Sequence, residues 1–108
     1  YLECQHNQLL SLDLSKNFRL EALSCGFNKL KELDVSKNVG LNSPIDSLNC
    51  ENNSISNLDL TKNKYLMSIN CSDNQLTSLD IGDHKYLMQV KLKGNPGTWW
   101  KELEKDKE

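Results

Sequence analysis

The chain has 108 residues, enough for one domain with a single hydrophobic core. Its 15 acidic and 13 basic residues leave a formal charge of -2, a near-balance that gives no footing for nucleic acid or an anionic membrane surface. No apolar run is long enough to insert into a bilayer. The bias toward Leu and Asn, with Ala22 as the single alanine, disfavours long helices because Asn competes with the helical backbone.

Taken in order, the chain opens at Tyr1 with neither an initiator Met nor a signal-type leader, and it opens inside a repeat. We therefore expect a piece of a longer protein, whose first apolar residues, Leu2, Cys4, Leu9, Leu12 and Leu14, have no preceding turn to cover them. That open end invites self-association, since an unpaired strand is a template for other chains.

Cys4 begins a register that continues at Cys25, Cys50, Cys71 and Leu92, with steps of 21, 25, 21 and 21 residues. Three residues after each come Asn7, Asn28, Asn53, Asn74 and Asn95. Eight residues after each Cys comes an apolar-Asp-apolar triplet, as in Leu12-Asp13-Leu14 and Leu33-Asp34-Val35. The second unit reads Leu20-x-x-Leu23-x-Cys25-x-x-Asn28-x-Leu30-x-x-Leu33-Asp34-Val35-Ser36-Lys37-Asn38. This resembles the leucine-rich repeat family, and within it the short bacterial type of about 21 residues. The resemblance implies a right-handed horseshoe arc, α/β-type in class but mostly β and irregular, with a parallel sheet on its concave side. It further implies a non-catalytic module that binds proteins or glycans, at a bacterial cell surface or secreted. Residues 1–96 hold about five repeats, the first and last partial, and 97–108 form a C-terminal cap and charged tail.

The residues support the same architecture. Leu23-x-Cys25 alternates with period two, so both side chains take one face while Ala22 and Ser24 take the other. Stacked turns then build a core that no single repeat could bury. The longer step before Cys50 leaves a six-residue connector, 39–44, which reads either as a neutral insertion or as a rim finger extending a binding face. After Asn95 the repeat stops at Pro96-Gly97. Thr98 can cap a short helix whose Trp99, Trp100 and Leu103 lid the core, and 101–108 reads as a solvated terminus.

Four side-chain columns invite chemistry. The cysteines stand in a line and cannot converge tetrahedrally on zinc, so we expect inward, reduced, metal-free thiols. The asparagines should serve backbone groups of adjacent turns. Asp13, Asp34, Asp59 and Asp80 offer one carboxylate per turn, too few converging oxygens for calcium, with Lys16, Lys37 and Lys62 as compensating charge. His84 replaces a turn Asn, and His6, near Ser24 and Glu51, lacks anything to orient it for catalysis. We expect no enzyme activity and no cofactor.

What remains is the exposed strip of each strand. Phe27, Asn49, Glu51, Asn52, Asn70, Asp73 and Lys91 are the candidate ligand-binding residues, with Phe27 as the aromatic anchor. Tyr65 and Tyr86, each within Lys-Tyr-Leu-Met, should stack on a rim, either as edge packing or as part of the binding surface. The alternative function is architectural: the C-terminal part of a longer solenoid whose binding face lies mainly upstream.

Overall fold

A computed structural model of the chain describes residues 2–16, 20–38, 47–81 and 86–106. The 39–44 connector and His84 lie outside the described residues. Five short strands, β1 (Leu2–Glu3), β2 (Ala22–Ser24), β3 (Ser47–Asn49), β4 (Ser68–Asn70) and β5 (Gln89–Lys91), pair in parallel and in sequence order. Their register joins Leu23 to Leu48, Leu48 to Ile69 and Ile69 to Val90, so the sequence repeat becomes the sheet register without a slip. Among the described residues the fold is a mostly-β solenoid of the leucine-rich-repeat kind, with one short helical turn.

Each turn contributes the same inward side chains. In the second turn Leu20, Leu23, Cys25, Leu30, Leu33 and Val35 are all buried, at 5% exposure or less. A fully buried Leu contributes about 1.5–3 kcal/mol relative to leaving it in water. In the first turn Leu2, Cys4, Leu9 and Leu12 are only partly buried, because among the described residues they have a neighbouring turn on one side alone. Leu14 is already covered.

The bend after each strand is made by a residue in the left-handed region: His6 (φ 60), Phe27 (φ 58), Asn52 (φ 57), Asp73 (φ 56) and then Gly94 (φ 93). The kink breaks the alternation of the strand, so that the following Asn turns inward rather than out. Asn53 shows what it does there. Its Nδ2 donates to Cys50 O at 3.0 Å and across the turn to Cys25 O at 3.1 Å, while its Oδ1 accepts from Leu30 N–H at 3.0 Å. Asn28, Asn74 and Asn95 repeat the pattern, as expected of a column that serves backbone groups. Asn7 is exposed and donates only within its own turn, to Cys4 O and Gln5 O.

The C-terminal segment corrects two expectations. Thr98 makes no side-chain cap, and the helix is a four-residue 3-10 turn, Trp99–Glu102. Its anchors are the indoles: Trp99 Nε1 donates to Pro96 O, and Trp100 Nε1 to Asn95 O and Gly97 O. Trp99, Trp100 and Leu103 pack against the core. Nor is the tail simply a solvated terminus. Lys105–Asp106 forms β6, antiparallel to β5, because the open edge of β5 offers unsatisfied backbone groups that the returning chain can pair.

Candidate binding face

The outward side chains of the parallel strands form one polar strip. Asn49, Asn70 and Lys91 are neighbours in register, with Ser24 completing the row. Asn49 and Asn70 are half-buried, and each Oδ1 accepts from a backbone N–H two residues on, Glu51 and Ser72, at 3.2 Å. These local bonds fix the amide orientation before any ligand arrives. Glu51 lies across Gly26, where an added Cβ would meet its Cγ at 3.1 Å and its carbonyl oxygen at 3.0 Å. Lys91 is exposed, so the strip runs from an acid in its middle to bases at its C-terminal end.

Phe27, Asn52 and Asp73 stand beyond the strands, on the edge made by the left-handed bends. Phe27 is 41% exposed, and its ring stacks on His6 with centroids 4.5 Å apart and planes at 13°. A bulky side chain with positive φ costs about 1 kcal/mol or more and persists only where its surroundings impose it. Here the backbone does so, since Phe27 N–H donates to Glu51 O at 2.9 Å. Asp73 occupies the space over Gly94, and a Cβ on that residue would collide with the carboxylate.

Tyr65 and Tyr86 stand on the opposite edge, where the strands begin. Their rings stack with centroids 6.0 Å apart. The structure therefore gathers Asn49, Glu51, Asn70 and Lys91 on one face, Phe27, Asn52 and Asp73 on one edge, and the two tyrosines on the other. Reading the sequence missed Met67 and Met88, which stand exposed beside those tyrosines, and the pairing of His6 with Phe27. The duplicated Lys-Tyr-Leu-Met carried the signal for the methionines.

The other columns are accounted for by the fold. Cys25, Cys50 and Cys71 are buried free thiols and Cys4 is half-buried. Cys50 Sγ donates to Cys71 Sγ at 3.2 Å, and that bond, with burial, pushes the Cys50 thiol well up from its ordinary value. Burial, followed by the neighbouring cysteines, raises Cys25. The side-chain hydroxyls of Ser15, Ser36 and Thr61, and then their N–H groups, which donate at 2.9 Å, hold the carboxyls of Asp13, Asp34 and Asp59 below the usual range. Among the described residues no group of three His, Cys, Asp or Glu side chains converges on a metal position.

No protein-family model matches the chain, and no curated protein does. Among solved structures it is similar to the functional domain of InlJ from Listeria monocytogenes, which includes a cysteine ladder. The two are 31% identical and superpose with a TM-score of 0.76 over 82% of this chain. The chain spans 19% of that protein's domain, about a fifth of its length. In this chain Cys4, Cys25, Cys50 and Cys71 are free thiols, one in each of four successive turns. The likeness places the chain among leucine-rich-repeat folds of the kind that serve generally in protein interaction.

Proposed function

We propose that this chain is a non-catalytic interaction module that binds a protein or glycan through the concave strip and its rim, at a bacterial cell surface. The observation that carries the reading is Phe27. It is an aromatic side chain held exposed, in a strained backbone conformation, beside a strip of oriented amides and a carboxylate. Aromatic anchors surrounded by polar groups concentrate binding energy. Asn49, Asn70, Glu51, Asn52, Asp73 and Lys91 supply the polar contacts in this reading, and Tyr65 and Tyr86 extend it over the opposite rim. The likeness to a Listeria domain supports a bacterial surface setting.

A second reading is architectural: the C-terminal part of a longer solenoid whose binding face lies mainly upstream. The sealing of β5 by β6 favours it, because a closed edge is what the last turn of a solenoid requires.

A photo-cross-linking residue separates the two. Placed at Asn70 on the strip, it should give a discrete adduct with surface proteins of the cells that express the chain, and unlabelled chain should compete it away. Placed at Lys62, on the side away from the strip, it should give none. Equal labelling from both positions, or from neither, would favour the architectural reading.

A further inference from the structure

We infer that Tyr65, Met67, Tyr86 and Met88 form a docking strip for a short amphipathic helix of a partner protein, flanked by acidic residues. This rests on the proposed binding role and assigns the rim its partner. The four side chains are 43%, 45%, 54% and 43% exposed, and they stand as two columns, one of tyrosine and one of methionine. Met88 N–H donates to Met67 O at 2.9 Å, so the columns sit on adjacent turns in direct register.

The fold does not require them. Within each Lys-Tyr-Leu-Met, the leucine is the core residue: Leu66 is 0% and Leu87 8% exposed. The methionine position immediately precedes the strand, and in the two preceding repeats that sequence position is Asp46 and Glu21, of which Glu21 lies among the described residues and is exposed. A position that accepts a glutamate has no need of a methionine for packing. Four large apolar groups left half in water, side by side, amount to a patch of a few hundred Å2, roughly the size that marks interaction sites on monomers.

The area and the strand pairing choose the occupant. A stable dimer needs about 800 Å2 from each partner, well beyond this strip, whereas a single helix face does not. Strand addition is closed off, because β4 is paired on both sides by β3 and β5, and β5 by β4 and β6. A helix lying across the turns rises about 6 Å in four residues, which matches the 6.0 Å between the tyrosine rings. Its i and i+4 side chains would meet successive turns, and the unbranched thioethers can adapt to their shape. Exposed Lys64, next to Tyr65, and Lys91, further along β5, favour acids at the edges of that helix.

The chain has two methionines, and both lie in the strip, so methyl-13C methionine reports on it alone. The probe is a synthetic peptide of about 18 residues with Leu at i, i+3, i+4 and i+7 and Glu on the other face, against a scrambled control of identical composition. Both methyl signals should shift together and saturate with the amphipathic peptide only, and binding should weaken with added salt. Tyr65→Ser and Tyr86→Ser should each weaken it at least fivefold, and unaltered amide spectra elsewhere would show that the variants are folded. Equal shifts with the scrambled peptide, or shifts that follow chain concentration without peptide, would overturn the inference. Shifts confined to the amides of Asn49, Asn70 and Lys91 would overturn it while leaving the concave-strip reading intact. Methyl and strip signals that both stay still would overturn the inference, and cross-linking at Asn70 would still decide the broader reading.

Discussion

The Glu104 carboxylate accepts from Leu92 N–H at 2.8 Å, with the same Oε2 taking Lys93 N–H at 3.1 Å. In each earlier turn the equivalent N–H donates to a carbonyl of the next strand: Cys25 to Asn49, Cys50 to Asn70 and Cys71 to Lys91. Glu104 thus stands in for the backbone of a further turn. The last turn of the ladder is closed by a side chain.

Glu104→Ala should therefore destabilise the chain by about 1.5–3 kcal/mol, the range for hydrogen bonds to a charged group. The amides of Leu92 and Lys93 should lose hydrogen-exchange protection while that of Cys50 keeps it. Truncation after Gly97, which also removes Trp99, Trp100 and Leu103 from the core, should cost more, several kcal/mol. Unchanged urea midpoints for both variants would show the segment to be a passive tether.

How much of this was legible in the sequence follows from what repeats. The core, the register and the Asn column recur every turn, so each is read several times over, and a single structure-forming rule explains all copies. The end of the chain occurs once. Nothing in Lys101–Asp106 marks Glu104 as a substitute backbone, because its role depends on where β5 leaves an open edge. The left-handed bends were only partly legible: His6, Asn52, Asp73 and Gly94 are residue types enriched at positive φ, but Phe27, in the same column, is not, and it masks the pattern. Tyr65 and Tyr86 were found as a stacked pair because their spacing equals the repeat. Met67 and Met88 share that spacing, yet a methionine next to a core leucine reads as more core.

Asn53 and Asn7 hold the same place in the repeat and should respond differently. Asn53→Ala strands Leu30 N–H inside the protein and takes one of two donors from Cys25 O and Cys50 O, which keep Asn28 Nδ2 and Asn74 Nδ2, and should cost about 1–3 kcal/mol. Asn7→Ala removes two exposed bonds and should cost under about 1 kcal/mol. Chemical denaturation of the two variants in parallel checks this, and equal losses would contradict it.

The thiol column sets an alkaline limit on stability. In the unfolded chain thiols ionise from about pH 9.0 upward, while Cys25 and Cys50 stay protonated in the fold. Above that pH the folded state holds more protons, so stability is full below pH 9.0 and falls as pH rises. The slope is about 1.4 kcal/mol per pH unit for each such thiol. Cys25→Val keeps a buried apolar group, and it should flatten the decline between pH 9 and 11 by about one thiol's share. Identical slopes for variant and wild type, measured by urea titration at each pH, would contradict this origin.

Phe27 carries the central claim, that the rim is kept for binding rather than for folding. Phe27→Gly relieves a left-handed strain of about 1 kcal/mol and gives up a stacking contact with His6 of similar size. The most direct measurement is therefore a pair of readings on this one variant: its denaturation midpoint and its cross-linking yield from Asn70. We predict stability within about 1 kcal/mol of wild type and a yield reduced at least fivefold. A variant that cross-links as well as wild type would contradict the claim and leave Phe27 without a binding role.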